Sequence, residues 1–415
     1  MTKTIKNSAA IPSILICWIF YLYGYIVKVE PSVLADELMT EFGMTSSIFG
    51  LVVSIVYIPY VILQIPCGII ADKLGTKVVV SISAAICSLG VFIFGLASSI
   101  IQLEIGRFLI GLATAAAFLC CGKIAADFFD KRKYAMLMGV AMCMGGIGGV
   151  AGSAPTAFLI ASLGWRNATF AIAILGVVIT IAAVFLMRNS TKSPTKSDPK
   201  LLEGLKIISK NPRAWLLGFY GATTYLPLSA LAELWVVPFM ERRFDVTTEM
   251  ATAASIVLFI SFGFGSAITA WIAEKVNSCK KTIIVSSFCV IFSFWLALYN
   301  DSIDFYTCLF LLFIGGTCAG ANTLCFTIGY YIVPEKFCGT SAGFINTLIM
   351  ASGILFQPLL GKLLDFFRNG LVTADGAPIY NLTAYRSAFL CVIVAMLTGI
   401  VATFFIDDVK YDKKK

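Results

Sequence analysis

No histidine occurs anywhere in this chain. The side chain that ordinarily changes charge between about pH 5 and 8 is missing, so any proton relay must run on carboxylates. Charge is scarce as well: Asp, Glu, Lys and Arg supply 13% of the residues, against about 25% in a soluble globular protein. The 13 cysteines include no C-x-x-C pair and read as small apolar packing residues, not as metal ligands or halves of disulfides. No nucleotide-binding loop is present, and no cofactor is implied. Gly-Pro, a dipeptide with a specific meaning in some membrane helices, is also missing.

What remains is apolar. Hydrophobic residues make up 59% of the chain and mean hydropathy is +0.90. Apolar runs of about 20 residues recur from end to end, the length a helix needs to cross roughly 30 Å of hydrocarbon. Strands of a membrane barrel would be about 10 residues long with alternating polarity, which this pattern excludes. Twelve candidate spans run from about 11–34 to 384–406, the seventh covering about 213–239. The first is too long for a signal-peptide core and lacks a small-residue cleavage site, so it counts as a span.

The basic residues fix an orientation. With the N-terminus inside, the inner loops hold 22 of the 31 Lys and Arg residues, among them Lys73, Lys77, Lys131–Lys133, Lys192, Lys196, Lys336 and the tail lysines. The outer loops hold six: Arg166, Arg242, Arg243, Lys362, Arg368 and Arg386. The positive-inside rule then places both termini in the cytoplasm of a cell whose inner, or plasma, membrane this chain spans. The net charge of +8 is accounted for by topology, and no soluble basic face exists for nucleic acid.

The only long polar interruption is "RNSTKSPTKSDPKLLEGLKIISKNPR" at 188–213, a flexible start followed by a short amphipathic helix at "LLEGLKIIS". It divides the chain into an N-terminal six-helix bundle (1–187), a cytoplasmic linker (188–212) and a C-terminal six-helix bundle (213–415). The two halves repeat each other in order. "IADKLG" (70–75) corresponds to "IAEKVN" (272–277), "LIGLATAAAFLCC" (109–121) to "FIGGTCAGANTLC" (313–325), and "WRNATF" (165–170) to "YRSAF" (385–389). Parallel repeats of six spans imply a pseudo-twofold axis along the membrane normal, with a central cavity.

"GIIADKLGTK" (68–77) carries Gly68, Asp72, Gly75 and Lys77 at the spacing G-x-x-x-D-x-x-G-x-[KR]. Here the chain resembles the major facilitator superfamily, whose fold is an all-α membrane protein of two six-helix bundles. In that family this loop is a conformational latch. "GRFLIGLATAAAF" (106–118) is similar to the family's fourth-span signature, with Arg107 as its buried arginine and Glu104 one turn before it. The fifth span, "GVAMCMGGIGGVAGSAP" (139–155), lacks the Gly-Pro of the family's antiporters; its glycines suit tight packing, expected against the eighth span with Gly263 and Gly265. Lys28 lies 13 residues before "EFG", a spacing similar to that of the span-1 arginine in the family's organic-anion branch, which binds substrate carboxylate. That branch's proton-carrying acid would fall at Thr114. Lys28, Pro31 and Ser32 also resemble a K-x-x-P-S pattern of amino-acid and dipeptide carriers.

Ionisable residues inside spans are costly and mark function by default. Lys28, Glu30, Glu104, Arg107 and Glu233 all fall in the outer half of the membrane. At about 1.5 Å per residue Lys28 sits roughly 25 Å along its helix, so it either reaches a cavity or snorkels outward. The cavity reading makes Lys28, Arg107, Glu233, Tyr25, Tyr57, Asn322 and Gln357 substrate-binding residues, and Glu30, Glu104 and Glu233 carriers of a coupling proton. Tyr21, Tyr60, Gln64, Tyr225, Trp235 and Asn346 line the same helices. The expectation is a monomeric, lipid-embedded, proton-coupled transporter of a small charged or zwitterionic metabolite. Amino acids or short peptides come first and organic acids second. A metabolite or siderophore exporter, or a non-transporting receptor on the same scaffold, is the alternative.

Overall fold

The computed structural model describes residues 2–129, 131–189, 200–334, 337–368, 370 and 380–409, with only the backbone described at 2–9, 65, 69, 72, 131–135 and 200–202. Lys192, Lys196, Lys336 and the tail lysines lie outside the described residues, as do most of the flexible linker and the side chain of Asp72.

Among the described residues the chain is helical with no strand. The helices are α1 (Thr2–Val29), α2 (Ala35–Glu41), α3 (Ser46–Ser54), α4 (Tyr57–Leu74), α5 (Thr76–Gly95), α6 (Ile100–Thr114), α7 (Ala117–Phe128), α8 (Lys131–Leu163), α9 (Trp165–Leu186), α10 (Lys200–Ser209), α11 (Pro212–Thr224), α12 (Val236–Phe244), α13 (Thr248–Val276), α14 (Cys279–Tyr299), α15 (Phe305–Ala319), α16 (Leu324–Tyr331), α17 (Cys338–Phe367) and α18 (Leu382–Phe404). Among the described residues, eleven helical segments are long and apolar enough to cross a membrane. The seventh expected span is helical too, but a π-helical stretch at Pro227–Trp235 splits it between α11 and α12. Pro227 opens that stretch, where a residue without an N–H cannot continue the ordinary ladder.

Two compact units emerge. The first holds 1–34 and 52–198; the second holds 35–51 and 199–415. In the first, α5 packs on α6 and α9, and α1 lies along α8. The glycines of α8 make that last contact close. A Cβ at Gly148 would stand 2.2 Å from the Leu22 carbonyl oxygen, and one at Gly152 would stand 2.7 Å from that of Ile26. These glycines are thus spent on α1, whereas Gly265 faces the Thr317 carbonyl oxygen inside the second unit. Small residues permit such approaches where no hydrophobic force drives helices together. Outward-facing Phe158, Ile174, Phe185 and Val178 stay exposed, as side chains facing lipid must.

The second unit is organised the same way, with α13 on α15, α14 on α15 and α11 on α17. The amphipathic helix expected after the linker is α10, whose Ile208 packs with Ala214, Val333 and Phe337.

The repeat is visible in local geometry. Gly75 and Asn277, the last residues of the two matched loop motifs, both adopt positive φ, +83° and +53°. Arg166 donates to the carbonyls of Gly95 and Ala97 at the end of α5. Its counterpart Arg386 donates to that of Leu298 at the end of α14. The fourth span breaks after Thr114, and its mate, the tenth, breaks after Ala319.

Candidate functional site

In the first unit, α1 brings Tyr25 and Lys28 to one face, three residues apart. Lys28 is only 4% exposed, which excludes snorkelling to outer water. Its ammonium lies over three tyrosine rings, 4.2 Å from the centroid of Tyr60, 5.3 Å from Tyr25 and 5.4 Å from Tyr57. Ring faces carry partial negative charge and attract a cation most strongly where water is excluded. The cage thus sets three ring faces around a buried charge.

Tyr57 and Tyr60 occupy the first turn of α4, just past the break after α3. Tyr21 backs Tyr25 edge-on, their centroids 5.3 Å apart, and touches Phe118 on α7 at the same separation. Thr114, the position of the related branch's acid, packs its methyl group against Gly24, where a Cβ would be 3.1 Å away.

Glu30 follows in the 3-10 turn Glu30–Val33 and is buried. The Thr169 hydroxyl donates to its Oε1 at 2.6 Å, and it interacts electrostatically with Arg107. Arg107 is 1% exposed and turns its guanidinium toward main chain: Nη1 donates to the Val27 carbonyl at 2.7 Å, while Nη2 and Nε donate to that of Val53 at 3.1 and 3.3 Å. Glu104, one turn earlier on α6, is only half-buried. The structure therefore gathers Lys28, Tyr25 and Tyr57, couples Glu30 electrostatically to Arg107, and leaves Glu104 at the margin.

The second unit holds the remaining candidates. Glu233 lies buried in the π stretch. Gln357 on α17 donates through Nε2 to the Ser229 carbonyl at 2.7 Å, and its own backbone carbonyl accepts from the Trp235 indole at 3.3 Å. Its Oε1 is buried and meets no donor among the described residues. Asn322, in the break between α15 and α16, donates to the Gly221 carbonyl at 2.6 Å and to Thr224 Oγ1 at 3.1 Å. It braces α11 where that helix ends.

At the latch, Gly75 lies so near Asn189 that a Cβ would be 2.4 Å from Oδ1, and the same oxygen accepts from the Lys77 amide at 3.0 Å. Gly68 has ordinary room, a Cβ meeting Leu119 at 3.5 Å.

Sequence reasoning missed two participants. Thr169 is a neutral residue on another helix, marked only by its place in the repeated "WRNATF". Pro31 was read as part of a family-like pattern, although its missing N–H has a direct consequence for Val27 four residues earlier.

Comparison with known proteins agrees with this architecture. The chain is 27% identical over 172 residues to the "Probable sulfoacetate transporter SauU" of Cupriavidus necator, a match covering 41% of this chain and 40% of that protein. It is 23% identical to the "Probable L-galactonate transporter" of Escherichia coli over 398 residues, covering 86% of this chain and 85% of the other. A crystal structure of a bacterial homologue of the human lysosomal transporter Spinster superposes with a TM-score of 0.79 at 17% identity, covering 94% and 95% of the two chains. The model of the Major Facilitator Superfamily matches residues 14–358. This multi-pass membrane protein is accordingly a transporter of a small molecule, not an enzyme, and it belongs to the Major Facilitator Superfamily.

Proposed function

We propose that the protein carries a small organic anion across the inner membrane by alternating access, with Lys28 receiving the anionic group. The observation that carries this reading is the buried Lys28 ammonium under three tyrosine rings. That ammonium is a buried positive charge, and the guanidinium of Arg107 is buried in the same unit. A carboxylate or sulfonate arriving there neutralises it, and Coulomb attraction in so poor a dielectric is several times that in water. This reverses the order of substrates expected from the sequence, placing organic acids ahead of amino acids and peptides. The names of the two relatives, sulfoacetate and L-galactonate transporters, point the same way.

Tyr25, Tyr57 and Tyr60 would then bound the anion's carbon skeleton. Glu30 and Glu233, both buried, are the carboxylates suited to a coupling proton, since the chain has no histidine. Half-buried Glu104 is the weaker candidate. Both termini are assigned to the cytoplasm by the basic loops, and the working unit is a monomer.

Proteoliposomes offered radiolabelled L-galactonate, sulfoacetate, glutamate and dialanine, with and without a pH gradient, test the reading. Uptake of an anion, enhanced by an inward proton gradient, is expected. Uptake of dialanine with no response to either anion overturns it.

A further inference from the structure

We propose that Arg107 is a positioning residue: its guanidinium fastens the Val27–Lys28 peptide to the α3–α4 junction, and so aims the Lys28 ammonium into its tyrosine cage. The inference rests on the reading that Lys28 takes the substrate's anionic group.

The cause lies four residues beyond Val27. In an α-helix the carbonyl of residue 27 accepts from the amide of residue 31, and residue 31 is Pro31, which has no N–H. A buried carbonyl left without a donor is costly, so the chain must find one elsewhere. Arg107 Nη1 supplies it at 2.7 Å. That carbonyl belongs to the peptide plane leading directly into Lys28, so holding it fixes where the Lys28 side chain begins.

The other arm of the fork meets α3. Val53 lies one residue before α3 ends, and its carbonyl takes two bonds, at 3.1 and 3.3 Å. The chain resumes as α4 at Tyr57, so this arm sets the origin of the turn bearing Tyr57 and Tyr60. One turn along α6, Gly111 lets the helix lie directly on that junction: a Cβ there would stand 1.9 Å from the Val56 carbonyl oxygen. One planar group therefore spans the two backbones that carry the cage, a geometry a lysine could not reproduce. With three donor nitrogens committed to main chain, Arg107 acts on substrate through Lys28.

The test is a cycle of Arg107→Gln, Pro31→Ala and the double variant, on full-length protein in lipid nanodiscs. Lysine labelled with 13C at Cε reports the cage directly. The Lys28 signal is assigned by its loss in Lys28→Arg, and three ring faces shift its methylene protons upfield. Arg107→Gln is expected to move that signal toward the position of an exposed lysine. Pro31→Ala, which restores an amide for the Val27 carbonyl, is expected to bring it back part of the way. Arg107→Lys, which keeps the charge but loses the fork, should resemble Arg107→Gln.

A second arm measures uptake of L-galactonate and sulfoacetate. KM should rise about tenfold in Arg107→Gln with the maximal rate changed less than about twofold, and this rise should vanish in a Lys28→Ala background. An unmoved Lys28 signal in Arg107→Gln overturns the proposal, as does a shift that Pro31→Ala leaves untouched. Failure to transport either anion overturns the substrate reading alone, because the resonance cycle needs no substrate.

Discussion

Replacing Gly361 on α17 by alanine puts a methyl carbon 2.1 Å from the Ser46 carbonyl oxygen, 2.7 Å from its carbon and 3.0 Å from the Ser47 Cα. All three are backbone atoms, so no side chain can swing aside. To reach the roughly 3.5 Å of ordinary contact, α17 must withdraw by about 1.4 Å. One turn further along, Asp365 accepts from the Ser47 amide at 2.8 Å and from the Tyr380 hydroxyl at 2.6 Å, while the Tyr380 oxygen accepts from the Ser46 amide at 2.9 Å. The withdrawal weakens this network as well. Overpacking costs about 1–3 kcal/mol and each of the two amide bonds about 1–1.5, giving roughly 3–6 kcal/mol if both are lost. Thermal unfolding in detergent, followed with a thiol-reactive fluorophore, suits this chain because Cys17, Cys87, Cys120, Cys121, Cys279, Cys308 and Cys325 are all buried until it unfolds. Gly263→Ala is the matched control: nothing lies within 4 Å of a Cβ there, and alanine is the better helix former by about 1 kcal/mol. Gly361→Ala should lower the midpoint by several degrees while Gly263→Ala leaves it unchanged or raises it. Equal tolerance of the two would refute the argument from close backbone approach.

Other outcomes follow from the same geometry. Lys28→Met should raise KM for a transported anion by at least about 30-fold, the effect of removing one member of a desolvated charge pair, with Lys28→Arg recovering part of it. Uptake kinetics measured in the proteoliposomes above decide this, and an unchanged KM removes Lys28 from the site. Tyr380→Phe deletes one donor and one acceptor and leaves the Ser46 amide without a partner, a loss of about 2–3 kcal/mol read as a lower unfolding midpoint. Its effect should fall short of adding to that of Gly361→Ala, since the two share one network. The Arg386 side chain holds the Asp301 carboxyl below the usual aspartate range by hydrogen bonding. A depressed carboxyl stabilises the fold above its unfolded pKa, near 3.9, and that contribution disappears as pH falls through the lower folded value. The midpoints of wild type and Asp301→Asn should therefore differ near pH 6 and draw together as pH falls below about 3.9. A difference that stays constant with pH contradicts the linkage.

Much of this fold was legible because membrane spanning and duplication both leave marks in one dimension. Apolar length announced the helices. The repeated motifs announced positions that share geometry, since Gly75 and Asn277 both need a left-handed backbone and Arg166 and Arg386 both bind carbonyls at the end of a neighbouring helix. The charged residues of the first span were legible as a class, because their cost in hydrocarbon forces them to have partners. The identity of those partners was not. Thr169 bonds Glu30 across 139 residues of sequence, and Ser47 bonds Asp365 across 318. The π stretch was equally hidden: Pro227 forecasts an interruption but not that it widens the helix.

The duplication also shows where selection separated the halves. At the offset of 204 that aligns the fourth and tenth spans, Arg107 corresponds to Leu311 and Gly111 to Gly315. The glycine survives in both because each helix needs a close neighbour: a Cβ at Gly111 would strike the Val56 carbonyl, and one at Gly315 the Phe294 ring. The arginine survives in only one, because only the first unit has a carbonyl orphaned by Pro31 next to a caged lysine. In the second unit several buried carbonyls are held by neutral groups, although Arg386 serves the end of α14. Asn322 holds the Gly221 carbonyl, Gln357 the Ser229 carbonyl and Ser255 the Ala232 carbonyl at 2.7 Å. A neutral donor satisfies a buried carbonyl at lower desolvation cost than a guanidinium does, so an arginine kept at that work argues for a second task. On the reading proposed above, that task is to aim the Lys28 ammonium, through which Arg107 acts on an anionic substrate.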